Sequence, residues 1–321
     1  MKVLWRLLIL ASASIFASAS LADSWPSRPI RAVVPVAAGS STDIVPRVVF
    51  EQLASQLGQS IVVENRAGAG GTMGSAHVAK SLPDGYTVLA HGSAHTIAPS
   101  LYSNLGYDPS RDFIPVVPLG VTPSVLVVAP STGYRSVADL IAASKARPGG
   151  LNFSSVGVGS ATHLSAARFC SSTGISAVHV PFKGGAEAMT EAITGRVDFF
   201  FGPVALVLPH IRDGKLVALA VNGITRSAVL PDVPTLQEAG VANAEYPIWF
   251  GLFVPAHTPA DVVDRLHRET RSALQTAKVR DKLLSLGVDP MPMTLGEFEA
   301  HVRKEVALNA ALVQMVGIKP E

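Results

Sequence analysis

Residues 30–43 read IRAVVPVAAGSSTD. Ile30 to Val36 is an apolar run rich in β-branched residues, the composition of a buried strand. It stops at the small residues Ala37 to Thr42. Asp43 then opens a segment in which Ile44, Val48, Val49, Leu53 and Leu57 recur at helical spacing before Gly58. The stretch is therefore strand, turn and helix. Small side chains let a ligand approach the backbone, and the first N–H groups of the helix point outward without partners, so such a turn favours an anion. The same residues also satisfy an ordinary strand-to-helix connection with Thr42 or Asp43 as its N-cap.

Outward from this turn the pattern repeats. Ile61 to Glu64 reads as a second strand, Thr72 to Lys80 as a small-residue helix and Tyr86 to Ala90 as a third strand. That order, βαβαβ, implies a parallel sheet with right-handed crossovers. His91 to Thr96 reads as a polar loop at a strand's carboxyl end, the edge where open α/β sheets hold ligands. Residues 99–123 carry no clear period. From Val125 to Ala129 the pattern starts again, with strands at Leu151 to Ser155, Ala177 to Val180, Val197 to Phe201 and Leu216 to Val221, and helices between them. A short helix is expected after the Pro-rich loop Leu230 to Pro234, and a strand at Trp249 to Val254. The C-terminal helices follow no glycine-rich turn, so they are expected to pack on the first unit; the last opens with Thr294 and Glu297, a capping box.

The amino terminus has the form of a secretory leader: Lys2 and Arg6, then the apolar run Leu7 to Phe16, then small residues that offer cleavage after Ala19 or Ala22. It is too short for a membrane span, and no later segment is long and apolar enough for one. Export to the periplasm is expected. The roughly 300 residues beyond Ala22 exceed one typical core, so two domains are expected. The chain has 26 basic and 24 acidic residues, and the leader's Lys2 and Arg6 account for the difference. A balanced chain with no Lys/Arg cluster has no field to hold a polyanion, which argues against nucleic acid as a partner. Cys170, a single cysteine, cannot form an internal disulfide and reads as a small buried hydrophobe.

Several chemistries fail on spacing. Gly68 to Met73 and Gly157 to Thr162 both lack the sixth-place glycine of a dinucleotide loop, no P-loop occurs, and no G-x-S-x-G elbow is present. His91 and His95 are four apart but lack the glutamate of a zinc helix. Phe199 to Phe201 continues the sheet period and reads as a core strand. No cofactor, metal or catalytic set is expected. What remains is a pair of glycine- and serine-rich strand-to-helix turns, Ala37 to Asp43 and Ser155 to His163, one in each unit. Facing each other across a cleft, they would offer backbone N–H groups and hydroxyls to one small anion.

With these turns, the motifs Val63-Glu64-Asn65-Arg66, Gly68-Ala69-Gly70-Gly71, Pro83-Asp84-Gly85-Tyr86-Thr87, Asp112-Phe113, Val180-Pro181-Phe182-Lys183-Gly184, Leu230 to Thr235 and Trp249-Phe250-Gly251 make the chain resemble the Bug/TctC family over nearly its whole length. These are periplasmic solute-binding proteins of tripartite tricarboxylate transporters. The resemblance implies a bilobed Venus-flytrap fold (type II periplasmic-binding-protein class, α/β). Its domains would be residues 23–124 with 250–321, and 125–249, joined by a two-strand hinge after the leader at 1–22. It implies a monomer that captures a small carboxylate for the transporter's membrane subunits, or, alternatively, an orphan binding protein that signals through a receptor's outer domain. The ligand would touch Gly39, Ser40, Ser41, Thr42 and Asp43 in one lobe, with Ser93 and Thr96 in the same cleft. The other lobe would contribute Ser155, Gly157, Gly159, Ser160, Ala161, Thr162, His163 and Gly202. Three positions depart from the family's habit: Ser40 stands for a second glycine, Phe182 for a tyrosine, and Gly202 for an acidic residue. The last implies a ligand without an ammonium group.

Overall fold

The computed structural model describes residues 25–182 and 184–320; the leader expected at 1–22 lies outside them. Two five-stranded sheets, each covered by helices on both faces, form two α/β lobes. In the first, the strands are β1 (Ile30–Val34), β2 (Ile61–Asn65), β3 (Thr87–Gly92), β4 (Phe113–Thr122) and β10 (Ile248–Pro255), in the order β2-β1-β3-β10-β4. β1 pairs in parallel with β2 and β3, whereas β10 runs antiparallel between β3 and β4. The second sheet has the order β7-β6-β8-β5-β9, built from β5 (Ser124–Val128), β6 (Leu151–Ser155), β7 (Ala177–Pro181), β8 (Phe199–Pro203) and β9 (Val217–Val221). Here the antiparallel strand is β5, flanked by β8 and β9.

Successive strand residues point to opposite faces, and both lobes use that alternation. In the first, Ala32 and Val34 face α1 (Ser41–Leu57), α8 (Ala260–Gln275) and α9 (Ala277–Ser285), while Val33 and Leu89 face α2 (Thr72–Ala79) and α10 (Leu295–Met315). In the second, Phe199 and Phe201 pack towards α4 (Val137–Ala146) and α5 (Ala161–Thr173), and Phe200 towards α6 (Gly185–Ile193) and α7 (Val204–Arg212). All three phenylalanines are fully buried, each contributing roughly 1.5–3 kcal/mol of transfer free energy. The C-terminal helices pack on the first lobe as expected, and the capping box at Thr294 and Glu297 is present.

Three elements differ from the sequence reading. Residues 99–123 contain the ten-residue strand β4. Its Pro115 and Pro118 disguise it, and they are accommodated because β4 is an edge strand with one neighbour, bulged against β10. His91 to Thr96 is not a loop either: His91 and Gly92 end β3, and α3 (Ala94–Leu101) starts immediately after Ser93. This helix has eight residues including Pro99, too few to display a period. The short helix expected after Pro234 is a hydrogen-bonded turn over residues 236–240.

The chain passes between the sheets at Pro123 and again between Tyr246 and Ile248. Buried Asn222 ties both passages together. Its Oδ1 accepts the Ser124 N–H at 2.7 Å, its Nδ2 donates to the Tyr246 carbonyl at 2.7 Å, and its own carbonyl accepts the Tyr246 N–H at 3.2 Å. The far end of α10 adds a third link, with Leu312 and Val313 packing against Ile97 of α3, Leu164 of α5 and Tyr246.

Candidate functional site

Both small-residue turns lie at the carboxyl end of a strand and lead into a helix. In the first, Ser40 is the N-cap and α1 begins at Ser41, so the helical N–H groups of Ser41 and Thr42 have no partner within the helix. Ala37 to Ser41 are exposed. Asp43 is buried and turned inward: its Oδ2 accepts the Gly39 N–H at 2.9 Å, and its Oδ1 accepts from Asn65 Nδ2 at 2.9 Å and from Arg47 Nε at 2.8 Å. Burial opposes ionisation of this carboxyl, but the three donors outweigh it and hold the group below its ordinary value. Asp43 therefore shapes the turn from beneath.

The second turn is built in the same way. Ser160 is the N-cap of α5, its Oγ accepting the His163 N–H at 3.3 Å and donating to the Gly157 carbonyl at 2.7 Å. The Thr162 hydroxyl accepts the Val156 N–H at 3.0 Å. His163 is buried, and its Nδ1 accepts the Gly159 N–H at 3.1 Å. That bond requires the neutral ring with the proton on Nε2. The ring stacks on His179 with centroids 3.8 Å apart, and His179 Nε2 lies 2.6 Å from the Ser155 hydroxyl. Burial first, and then the neighbouring His179, push His163 down to about 4.

Gly39 and Gly159 occupy the same place in the two turns, with φ of 87° and 75°, a region that other residues enter at a cost. Space differs between them. A side chain at Gly39 would meet nothing, whereas one at Gly159 would press on Leu101 of α3, in the other lobe, at 3.2 Å.

Among the described residues, two of the cavities between the lobes border the starts of α1 and α5. One, of about 250 Å3, brings Ser93 together with Gly159, Ser160 and Ala161. Gly70, Tyr102 and Tyr246 line it as well, residues that carry no chemical signal in the sequence. The other, of about 530 Å3, has Ser41 at its edge and runs between α1 and α7. In this arrangement of the lobes the first turn borders the larger cavity through Ser41 alone, and the second borders the smaller one through Val158 to Ala161. Thr96 belongs to neither. It is fully buried, donates to Glu305 at 2.6 Å and accepts from Asn309 Nδ2 at 3.1 Å. Glu305 also accepts from Trp249 Nε1 at 2.7 Å, and burial pushes its carboxyl up to about 7. Gly202 is equally enclosed: a Cβ there would lie 2.4 Å from Val207 and 2.7 Å from Phe200, so an acidic side chain has no room in this packing.

His95 sits among Tyr107, Phe113 and Phe253, a packing role. Cys170 is half-buried, and burial pushes its thiol up to about 12, which makes it unreactive. No group of three or more metal-ligating side chains occurs among the described residues.

Comparisons with known proteins agree with one another. Residues 45–318 match the family described as "Tripartite tricarboxylate transporter family receptor", or TctC. Protein BugT of Bordetella pertussis is 36% identical over 314 residues, which cover 97% of this chain and 96% of BugT. Among solved structures, the R. palustris protein Rpa4515 with adipate is 32% identical with a TM-score of 0.75, over 92% of this chain and 100% of that one. MatC from Rhodopseudomonas palustris with bound malate is 31% identical with a TM-score of 0.71, over 90% and 100%. The chain therefore belongs to the TctC family of tripartite tricarboxylate transporter receptors, the Bug proteins.

Proposed function

We propose that this protein is an exported solute-binding protein that captures a small carboxylate between its lobes and delivers it to the membrane subunits of a tripartite transporter. It acts as a monomer in the periplasm and carries out no covalent chemistry. The observation that carries this reading is the matched construction of the two turns. In each lobe a buried side chain three places after the N-cap takes the N–H of a left-handed glycine, leaving the next helical N–H groups free for an anion. Ser41 and Thr42 at the start of α1 and Ala161 and Thr162 at the start of α5 offer the free backbone donors, Ser93 lines the seam, and Asp43 and His163 hold the turns in shape. Charge-assisted hydrogen bonds are worth about 1.5–3 kcal/mol net each, so four or five offset the cost of association and reach roughly micromolar affinity. The adipate and malate of two relatives support a carboxylate as the ligand.

The test is a thermal-shift screen of the purified mature chain over mono-, di- and tricarboxylates, followed by calorimetric titration of whatever raises the melting temperature. Binding of at least one carboxylate and loss of its uptake when the gene is deleted are the expected results. A full panel with no shift overturns the reading.

A further inference from the structure

A buried chain of hydrogen bonds runs from the seam between the lobes into the first lobe and ends on Glu305 of α10. Tyr246, which lines the smaller cavity, donates from its hydroxyl to Asn309 Oδ1 at 2.6 Å, Asn309 Nδ2 donates to Thr96 Oγ1 at 3.1 Å, and Thr96 Oγ1 lies 2.6 Å from Glu305 Oε2. Trp249 joins the two ends. Its indole Nε1 donates to Glu305 at 2.7 Å, and its backbone N–H donates to Ser93 Oγ at 3.0 Å, on the wall of the same cavity. The Thr96 hydroxyl has one proton and two acceptors within reach, Glu305 Oε2 and the Ser93 carbonyl at 2.8 Å. A charged Glu305 takes that proton. A protonated Glu305 donates to Thr96 Oγ1 instead and frees the threonine proton for Ser93, so the neutral state gains one bond and loses none.

No ion pair holds Glu305 among the described residues, and burial without a counter-ion is what raises its carboxyl. On α10 itself, Arg303 and Lys304 are exposed, and His301, whose ring packs on Trp249, is held below its ordinary value by burial and then by Lys304. His95 of α3 is fully buried and lowered further. Across the seam, half-buried Arg168 of α5 faces the Tyr246 end of the chain. Glu305 keeps 8% of its surface exposed, enough for solvent to deliver a proton.

Resting on the reading of the protein as a carboxylate binder, we infer that Glu305 is a positioning residue that takes up a proton when the protein captures its anion, and that it acts on the seam through Thr96 and Ser93. The step is simple to balance. One proton passes from solvent to Glu305 Oε2, and only hydrogen bonds rearrange. An anion drawn against Ser93 places a second negative charge near Glu305 in a region with little water, where like charges repel strongly, and this favours the neutral carboxyl. The coupling is reciprocal, so a proton on Glu305 strengthens anion binding by the same factor. Protonation also turns the Thr96 hydroxyl onto the Ser93 carbonyl and so fixes the backbone that presents Ser93 to the cavity.

The experiment is calorimetric titration of the mature protein at pH 7.5 with succinate, adipate or malate, or failing these the acid that the thermal-shift panel returns. It is run in phosphate, HEPES and Tris, whose ionisation enthalpies differ, so that the slope of observed enthalpy against buffer enthalpy counts the protons taken up per ligand bound. The parent protein should take up about 0.3–0.9 of a proton and should bind about threefold or more weakly at pH 8.5 than at pH 6.5. Glu305→Gln, checked for folding by circular dichroism, should show no uptake and a flat affinity over that range. Thr96→Val removes the donor that stabilises the charged carboxylate, so part of the proton is present before the ligand arrives and the uptake should fall below that of the parent. A purely structural Glu305 would shift the variant's melting temperature and leave the slope where it was. A parent slope of zero with an acid that binds overturns the inference, as does an equal slope in the parent and Glu305→Gln; in both cases a carboxylate still binds and the general function stands. If Glu305→Gln does not fold, the parent slope and Thr96→Val decide between the same outcomes. If no carboxylate binds at all, both readings fall together.

Discussion

The backbone N–H of Gly159 donates to Nδ1 of His163 at 3.1 Å, and this bond repeats in the second lobe the one from Gly39 to Oδ2 of Asp43 at 2.9 Å in the first. An imidazole and a carboxylate thus do the same work at equivalent positions. They differ in what acid does to them. Protonation of His163 removes its acceptor entirely, whereas Asp43, held below its ordinary value, keeps its charge to lower pH.

His163 should therefore make the second turn sensitive to mild acid. Its folded value, about 4, lies below the ordinary 6.5. The neutral ring's contribution to stability is full above pH 6.5 and is lost as pH falls towards 4. His163→Asn offers a non-titrating acceptor. The melting-temperature difference between the parent protein and this variant should shrink or reverse as pH drops from 7.5 to 4. A constant difference would show that the ring's protonation is not coupled to the fold.

Glu305 should act with the opposite sign. Its folded value is raised to about 7 from 4.5, so its contribution is full below pH 4.5 and is lost as pH rises through 7. Glu305→Gln keeps an oxygen for Thr96 and Trp249 and carries no charge. Urea unfolding at pH 6 and pH 8.5 should show the variant gaining on the parent protein at the higher pH. Glu305→Ala, which strips two buried donors of their partner, should cost about 1–3 kcal/mol for each at either pH.

Asp43→Ala should loosen the first turn without unfolding the lobe. It leaves the Gly39 N–H, Asn65 and Arg47 without their shared acceptor, at about 1–3 kcal/mol. Calorimetry should find ligand affinity down about tenfold or more, since 1.4 kcal/mol is a factor of ten. Asp43→Asn, which retains one acceptor oxygen, should fall between the two.

Asn222→Ala should alter the equilibrium between lobe arrangements. It breaks the bonds that hold Ser124 and Tyr246, one beside each passage of the chain between the sheets, and leaves the Ser124 N–H buried without a partner. Small-angle scattering of the ligand-free variant should show a larger radius of gyration, and affinity should fall in proportion to the population of the competent arrangement. Unchanged scattering and affinity would mean that the crossing strands need no such tie.

What the sequence determined by itself was whatever depends on local period and local chemistry. β-branched runs and helical spacing located most strands and helices, and hence a doubled α/β architecture. The turns at Gly39 and Gly159 were legible because left-handed backbone and free N–H groups select small residues there. β4 and α3 were not, since an edge strand tolerates Pro115 and Pro118 and an eight-residue helix with Pro99 shows no period. Long-range packing decided the rest. Only the fold brings Glu305 and Asn309, more than 200 residues away in sequence, onto Thr96 and so withdraws that hydroxyl from the seam. Only the fold presses Val207 and Phe200 against Gly202, or lays the apolar face of α7 beside α1 with Arg212 at its end. A sequence states which groups a segment can offer; which of them remain unspent depends on what the rest of the chain places against them.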